Sequence, residues 1–576
     1  MLQAAASAAA AASLRTPAIT KRVPADPRVH SSRSTAAMHF LGLDSSTQSL
    51  TGVLVLLPAP DAVAASKIVW EASVNFQERL PHYQTTSGVI KDGAAVQAPP
   101  LMWVEAVDLL MQQLVRDCSP DVVGSIMGVA VSGQQHGTVY LNATAASALA
   151  SLTPSEPLVQ QLQSIFTRAL CPIWMDASTS LQVQEITAAL GGAEQACRLT
   201  GSAVFERFSG PQIRKFAVQN PELWAATRHV CLVSSFMTSV IAGKICAIDA
   251  GDGSGMSLMD IRTGAWSEHA LLATADGLAE RLLPVAACNE WQGCISSYFV
   301  QRYGFSAECR VLSGTGDNPS ALIGLGLVEQ GRMGISLGTS DVVSIFMPSA
   351  NLTTDPDLAS HIFAAPTGDY MALSVYKNGS LARECVRDQC GMKEWSEFDA
   401  ALAATPPGNC GRLMLPYFDT EIIPRVSSPC VTRVGYSDNR KEDGFPDVRA
   451  CVEAQCASMR LHSRWMGSSC EARLIHATGG GSGSQAMLQT LADVFGVNVV
   501  RQHTRAAAAL GAAVRALHAH LHSVGASVTW SAVVQPHMQF EVEIRSRPEA
   551  AAACAVLVAD YEKLEGDFAR RSKGSP

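Results

Sequence analysis

Charge is scarce in this sequence. Asp, Glu, Lys and Arg together make up 16% of its 576 residues while hydrophobic residues make up 47%, which excludes a charge-extended disordered chain and fits a globular one. There is no dense run of Lys or Arg, and the formal net charge is −8. That argues against a nucleic-acid surface while leaving room for a local positive pocket. No uninterrupted apolar stretch approaches the ~20 residues that a membrane-spanning helix needs; runs such as Val53 to Leu57 have the length of buried strands. The 16 cysteines stand singly from Cys118 to Cys554, without a CxxC pair or clustered histidines. Reduced, mostly buried thiols are expected, and neither structural zinc nor a disulfide framework.

The sequence also lacks a Walker A loop: Gly243-Lys244 is followed by Ile245 and has no upstream glycine. A protein-kinase catalytic loop is missing too, so any phosphate-binding solution here differs from both. A chain this long exceeds one hydrophobic core, and two domains or more are expected. Residues 1–37 stand apart, rich in Ala and Ser, with Arg15, Lys21, Arg22, Arg28 and Arg33 against the single acid Asp26. This composition suits an organellar transit peptide, hence a plastid or mitochondrion. It suits equally an unstructured or untranslated extension of a cytoplasmic protein, because Met38 directly precedes the first strand.

What is present is a series of strands ending in polar turns. Met38 to Asp44 reads as a strand, Ser45 to Ser49 as a turn, and Thr51 to Leu57 as a second strand, with a third over Lys67 to Phe76. Val104, Val107, Leu110, Met111 and Leu114 carry helical spacing. Ser125 to Val131 reads as a buried strand running into Ser132-Gly133-Gln134-Gln135-His136-Gly137, so polar groups stand at a strand end, where α/β sheets place ligands. The stretch from about 150 to 290 reads as mostly helical. Strands resume at Arg310 to Ser313, before Thr315-Gly316-Asp317-Asn318, and at 334–346, a strand–turn–strand that echoes the first hairpin. One echo is a weak repeat signal. Leu474 to Thr478 leads into Gly479-Gly480-Gly481-Ser482-Gly483-Ser484 and a helix burying Met487, Leu488, Leu491, Val494 and Phe495.

Three needs of phosphoryl transfer find candidates. The turns at 44–49, 338–341 and 479–484 offer bare backbone N–H groups and small hydroxyls to an anion; singly each is an ordinary loop more often than a site. For a base, Asp252 sits in Asp249-Ala250-Gly251-Asp252-Gly253-Ser254-Gly255, where the chain turns tightly. A carboxylate suffices as base in phosphoryl transfer because most of the catalysis is positioning and charge neutralisation; the bland alternative is a turn residue. For a polyol, Gln135, His136, Arg207, Asp317 and Asn318 offer donors and acceptors, and Trp174 and Asp176 are ambiguous. A rival reading is a nicotinamide site, since Gly481-Ser482-Gly483-Ser484-Gln485-Ala486 fits GxGxxA and the next strand ends at Arg501. That reading explains none of the other turns.

Jointly, over about residues 38 to 563, these motifs resemble the FGGY family of carbohydrate kinases. Gly42-Leu43-Asp44-Ser45-Ser46-Thr47-Gln48-Ser49 resembles its N-terminal phosphate loop. The runs 132–137, 206–208, 252–256, 315–319, 336–341 and 377–381 resemble its eukaryotic D-xylulose-phosphorylating branch. The resemblance implies an α/β fold of two ribonuclease H-like (actin-like ATPase) domains with a catalytic cleft between them, a sugar-binding one over 38–290 and a nucleotide-binding one over 291–563, then a tail over 564–576. It implies Asp252 as the general base, and His136, Arg207, Asp317 and Asn318 as sugar ligands. Asp44 would orient the Mg²⁺ of Mg·ATP through water, Thr47 would belong to the phosphate loop, and Thr339 would sit near the transferred phosphate. Trp395, Gly480, Gly481 and Ser484 would line the nucleotide site; at position 484 the family has Asn. The implied partners are a small sugar and ATP, with no nucleic acid and no membrane, in a monomer or homodimer. The competing classes are a kinase for ribulose, gluconate or glycerol, and an actin-like chaperone ATPase, which would need no sugar pocket.

Overall fold

The computed structural model describes residues 37–436, 445–467, 470–502 and 506–573. The extension expected over 1–37 lies, but for its last residue, outside the described residues, as do the last three residues of the expected tail.

Two seven-stranded sheets dominate the chain, and their strand orders match. In the first, Lys67–Asn75, Ser49–Leu57 and Met38–Ser45 run antiparallel to one another in that order. Ile126–Gly133 and Arg310–Leu312 then add parallel strands, and Trp291–Cys294 closes the edge antiparallel. In the second, Tyr370–Tyr376, Asp341–Met347 and Arg332–Leu337 are antiparallel. Leu474–Thr478 and Asn498–Gln502 follow parallel, and Phe540–Ile544 antiparallel. The echo between the two hairpins in the sequence is therefore the visible part of a repeated sheet. His361–Ala364 adds one further strand, on Tyr370–Tyr376.

Side-chain alternation shows how the first sheet is buried. Leu41 and Leu43 share a core with Trp103, Val107, Leu110 and Leu114 of helix Pro100–Asp117. Phe40, Val53 and Val55 face the other way, onto Ala509, Ala512, Ala513 and Ala516 of helix Ala507–Ser523. Successive strand residues point to opposite faces, so a strand apolar at both parities must be covered on both sides. The late helix is the second cover. It approaches closely because three glycines leave space: a Cβ on Gly42 would stand 2.0 Å from the Ala509 carbonyl oxygen. One on Gly324 would stand 1.9 Å from that of Ala507, and one on Gly511 1.8 Å from that of Ser320.

Two boundaries differ from the sequence reading. The first sheet does not end at 290, since Trp291–Cys294, Arg310–Leu312 and Thr315–Gly316 all belong to it. These strands are short, and their pairing to Ile126–Gly133 is a long-range contact that local pattern does not carry. Residues 564–573 of the expected tail are helical: helix Pro548–Lys573 runs through them, and buried Glu565 accepts hydrogen bonds from Tyr417 and Tyr561.

Substituting Gly511→Ala should force the two crossing helices apart, because the obstacle is backbone and cannot rotate away. Overpacking of this kind costs about 1–3 kcal/mol, a fall in melting temperature of several degrees by differential scanning fluorimetry. Gly124→Ala, whose Cβ would meet nothing closer than 3.8 Å, should leave it nearly unchanged.

Candidate active site

Parallel strand ends build the site. Asp44 and Ser45 at the end of the first strand pair with Ser132 and Gly133, and Thr315 and Gly316 pair with the same two residues from the other side. Three strand ends thus converge, and the chain leaves each through a polar turn. Ser132 Oγ donates to Asp44 Oδ1 at 2.6 Å. Asp317 follows Gly316 at the first turn of helix Asp317–Gly324 and accepts from the Asn318 backbone N–H at 2.8 Å. Asn318 Nδ2 donates to Gln135 Oε1 at 2.8 Å, leaving Gln135 Nε2 buried without a partner among the described residues. Burial lifts the Asp44 carboxyl to about 6, with the Ser132 hydrogen bond opposing. Burial and the neighbouring Asp44 charge lift Asp317 to about 7. A buried carboxyl that raises its neighbour in this way favours a cation nearby.

Asp252 lies in helix Ala250–Gly253, fully buried, with Asp249 as the N-cap accepting the Asp252 N–H at 2.8 Å. Ser234 Oγ donates to Asp252 Oδ2 at 2.5 Å. Oδ1 is buried and has no partner among the described residues. Burial, with Asp249 and Asp317 nearby, holds this carboxyl well above the usual range, and an unpaired oxygen of raised proton affinity is what a base needs. Arg515, fully buried on helix Ala507–Ser523, stands 4.0 Å from Asp249 Oδ2 and donates to the Cys288 and Ser313 carbonyls, the latter at 3.0 Å.

His136 follows the same strand end, with φ at +69°, a left-handed conformation uncommon outside glycine. Its Nδ1 donates to the Gly255 carbonyl at 2.8 Å, and its ring stacks on Phe208 at 4.4 Å. Gly255 belongs to the Asp252 turn, and a Cβ there would come within 3.0 Å of the His136 ring. Burial, then the Arg207 charge, lowers His136 to about 3. The imidazole is therefore neutral, and with Nδ1 carrying the proton, Nε2 is an acceptor. Arg207 lies over Phe205 and Phe208, 4.9 and 5.5 Å from the ring centroids, and donates from Nη2 to His361 Nε2 at 2.6 Å.

Asp44, His136, Arg207, Asp252, Asp317 and Asn318 thus fall in one contiguous network. Thr47 lies beside it, accepting from Trp174 Nε1 at 2.8 Å and facing Gln134 Oε1 at 3.5 Å. Asp176 is structural: it accepts from Val96 N, Ser178 N and Gln212 Nε2.

A second constellation forms at the matching end of the second sheet. The turn carrying exposed Thr339 is braced by Arg383, which donates twice to Asp341, at 2.8 and 3.0 Å, and once to the Gly338 carbonyl. Gly379 backs onto the Thr339 carbonyl, which a Cβ would approach to 2.6 Å. Beside it runs the short helix Gly480–Gly483; Gly481 lies against Leu337, while a Cβ on Gly480 would meet only open space. Ser484 caps helix Gln485–Phe495, accepting from Met487 N at 3.1 Å and donating to Asp399 Oδ1 at 2.6 Å. Its hydroxyl is occupied in both directions by the protein. Trp395, exposed at the start of helix Trp395–Ala404, carries Arg387 over its ring at 4.8 Å. Arg501, the residue behind the nicotinamide alternative, pairs with Glu541 at 2.6 Å.

Sequence reasoning missed Ser234, Asp249, His361 and Arg515. Only Arg515 left a signal, a charge on the same helical face as Gly511 and Ala519 in an otherwise apolar run. Among the described residues no cluster of three or more His, Cys, Asp or Glu stands ready to hold a metal ion, and no helix is long and apolar enough to cross a membrane.

Comparison with known proteins gives two family matches: the FGGY family of carbohydrate kinases, N-terminal domain, over residues 162–324, and the C-terminal domain over 333–520. A xylulose kinase from Rattus norvegicus is 40% identical over 544 residues, covering 93% of this chain and 98% of that protein. Xylulose kinase 2 from Arabidopsis thaliana is 39% identical, covering 84% and 87%. Among solved structures, a xyloylose kinase from Brucella ovis superposes with a TM-score of 0.75 at 22% identity over 92% of this chain and 99% of that one. A glycerol kinase from Plasmodium falciparum with ADP gives 0.72 at 16%, over 93% and 97%. With its repeated sheets, its polar strand ends and these matches along most of its length, the chain belongs to the FGGY family of carbohydrate kinases and is an ATP-dependent sugar kinase.

Proposed function

We propose that the protein transfers the γ-phosphate of ATP to D-xylulose, giving D-xylulose 5-phosphate and ADP, with Asp252 as general base. The observation that carries the reading is the fully buried Asp252, whose Oδ2 is fixed by Ser234 while Oδ1 is unpartnered. The choice of sugar is supported by relatives about 40% identical that are named for xylulose. In this reading His136 Nε2, the Arg207 guanidinium and the Asp317–Asn318 pair bind the sugar hydroxyls. The terminal hydroxyl gives its proton to Asp252 Oδ1 as its oxygen attacks phosphorus in line. The turn at 338–341, Trp395, Gly480 and Gly481 hold the nucleotide, and the Ser484 hydroxyl acts on it indirectly, by fixing the cap of helix Gln485–Phe495.

Asp44 suits Mg²⁺, held through water: a single buried carboxylate, raised to about 6, leaves most of the coordination to water and phosphate, which this ion prefers. When bound it supplies charge neutralisation at the phosphate oxygens. Thr47 and Ser132 then hold the loop around Asp44 while the backbone N–H groups of the turns face the anion. Closure of the two halves over the cleft would exclude water, the competing acceptor.

Coupled ADP release from the purified protein with Mg·ATP, across D-xylulose, D-ribulose, gluconate and glycerol, tests the assignment directly. D-xylulose should give the highest kcat/KM; no turnover with any ketopentose or polyol would end the proposal. Asp252→Asn should lower kcat by about 10²–10⁴ with nucleotide affinity retained in a fluorescence titration, and near-normal turnover would show the base is another group. Because Asp252 must be ionised to act and burial raises its pKa, the acid limb of kcat/KM should lie well above the ~4 of an ordinary aspartate.

Asp317 adds a stability prediction. Its folded pKa of about 7 exceeds the ~3.9 of an ordinary aspartate, so the ionised side chain opposes folding above pH ~7, and that cost fades as pH falls towards ~4. Without nucleotide or Mg²⁺, Asp317→Asn should therefore melt a few degrees higher than the parent at pH 8 and alike at pH 4. Its KM for the sugar should rise.

A further inference from the structure

The edge strand of the second sheet, His361–Ala364, lies across loops of the first half. Its Ile362 N–H donates to the Gly201 carbonyl at 2.9 Å, and its Ala364 N–H donates to Ser254 Oγ at 3.1 Å, within the turn that carries Asp252. Between these anchors and the sugar pocket sits His361, 2% exposed.

The partners of His361 define its protonation state. Arg207 Nη2 stands 2.6 Å from His361 Nε2, and a guanidinium only donates, so Nε2 accepts and carries no proton. The proton resides on Nδ1, which faces Ser202 Oγ at 3.2 Å. The ring is held among Phe205 at 4.9 Å, Phe208 at 5.4 Å and Phe363 at 5.6 Å. Two of these aromatic rings, Phe205 and Phe208, also lie beneath the Arg207 guanidinium. Arg207 is thus gripped by ring faces below and by a single acceptor at one corner of its fork.

We propose that His361 is a positioning residue for sugar recognition, a neutral acceptor that fixes the Arg207 fork in the orientation receiving the sugar hydroxyls. A strand of the second sheet thereby sets affinity at a pocket built by the first. The physical reason is rotamer freedom. A long arginine loses much side-chain entropy on binding a ligand, and an acceptor that holds it beforehand removes most of that loss at the binding step. This inference rests on Arg207 contacting the sugar, as read above.

The test compares His361→Leu, His361→Gln and Arg207→Met in the full-length protein by steady-state kinetics with D-xylulose and with ATP. His361→Leu removes the acceptor and should raise the sugar KM about tenfold, with kcat and the ATP KM within about twofold of the parent. His361→Gln places an amide oxygen at similar reach and should restore most of the affinity. A normal sugar KM in His361→Leu together with a raised one in Arg207→Met overturns this inference alone. A normal value in both overturns Arg207 as a sugar ligand as well. If His361→Leu does not fold, His361→Gln decides: a sugar KM close to the parent supports the role, and one raised tenfold or a fall in kcat alone overturns it.

Discussion

The crossing of helices Asp317–Gly324 and Ala507–Ser523 is the contact on which the rest of the molecule depends. At Gly324 and Gly511 the two backbones approach to distances that no side chain would permit. One helix begins at the Asp317–Asn318 pair; the other arrives from near the end of the chain and covers one face of the first sheet. Because a backbone cannot yield as a flexible side chain can, this crossing fixes the register between them. It also delivers Arg515 to a fully buried position beside Asp249. Asp249 caps the short helix that presents Asp252, so the Asp252 turn is braced by a residue more than two hundred and fifty positions downstream.

The same packing concentrates unfavourable charge. Asp44, Asp252 and Asp317 are all raised by burial, and Asp252 and Asp317 also by neighbouring acids. Each is offset only in part, by the hydroxyls of Ser132 and Ser234 or by backbone N–H groups. An isolated fold would gain by neutralising such a cluster. A kinase needs it, because an acid that is uncomfortable alone gains most when a cation or a substrate hydroxyl reaches it.

Much of this was legible in the sequence, for a physical reason: strands that end at a ligand must leave the sheet through turn-forming polar residues, and such turns announce themselves. Asp44, the 132–137 run, Asp252 and Asp317–Asn318 were visible in that way, and the repeated sheet showed itself in the two hairpins. What escaped depends on contacts distant along the chain. His361 sits in an ordinary alternating strand, and its role exists only through Arg207, 154 positions away. The strands after 290 are short and identify their sheet only by pairing. Ser484 shows the same limit from another side. Its hydroxyl satisfies a helix N-terminus and Asp399, contacts that the Gly-rich run does not announce.

Two dependencies therefore run from the late half of the chain to the early half, and they differ in kind. Arg515 acts through a deeply buried cap on the Asp252 turn, where nothing can move without opening the core. His361 acts at an edge strand through one hydrogen bond and a set of ring contacts, an arrangement that can shift without unfolding anything. If the two halves move when a nucleotide binds, the first link keeps the Asp252 turn rigid while the second carries the displacement to Arg207. Under the proposed function, the Arg207 side of the site is then its adjustable part and the Asp252 turn its fixed point. That division suits a reaction in which the attacking hydroxyl must be brought to an in-line position only after both substrates are in place.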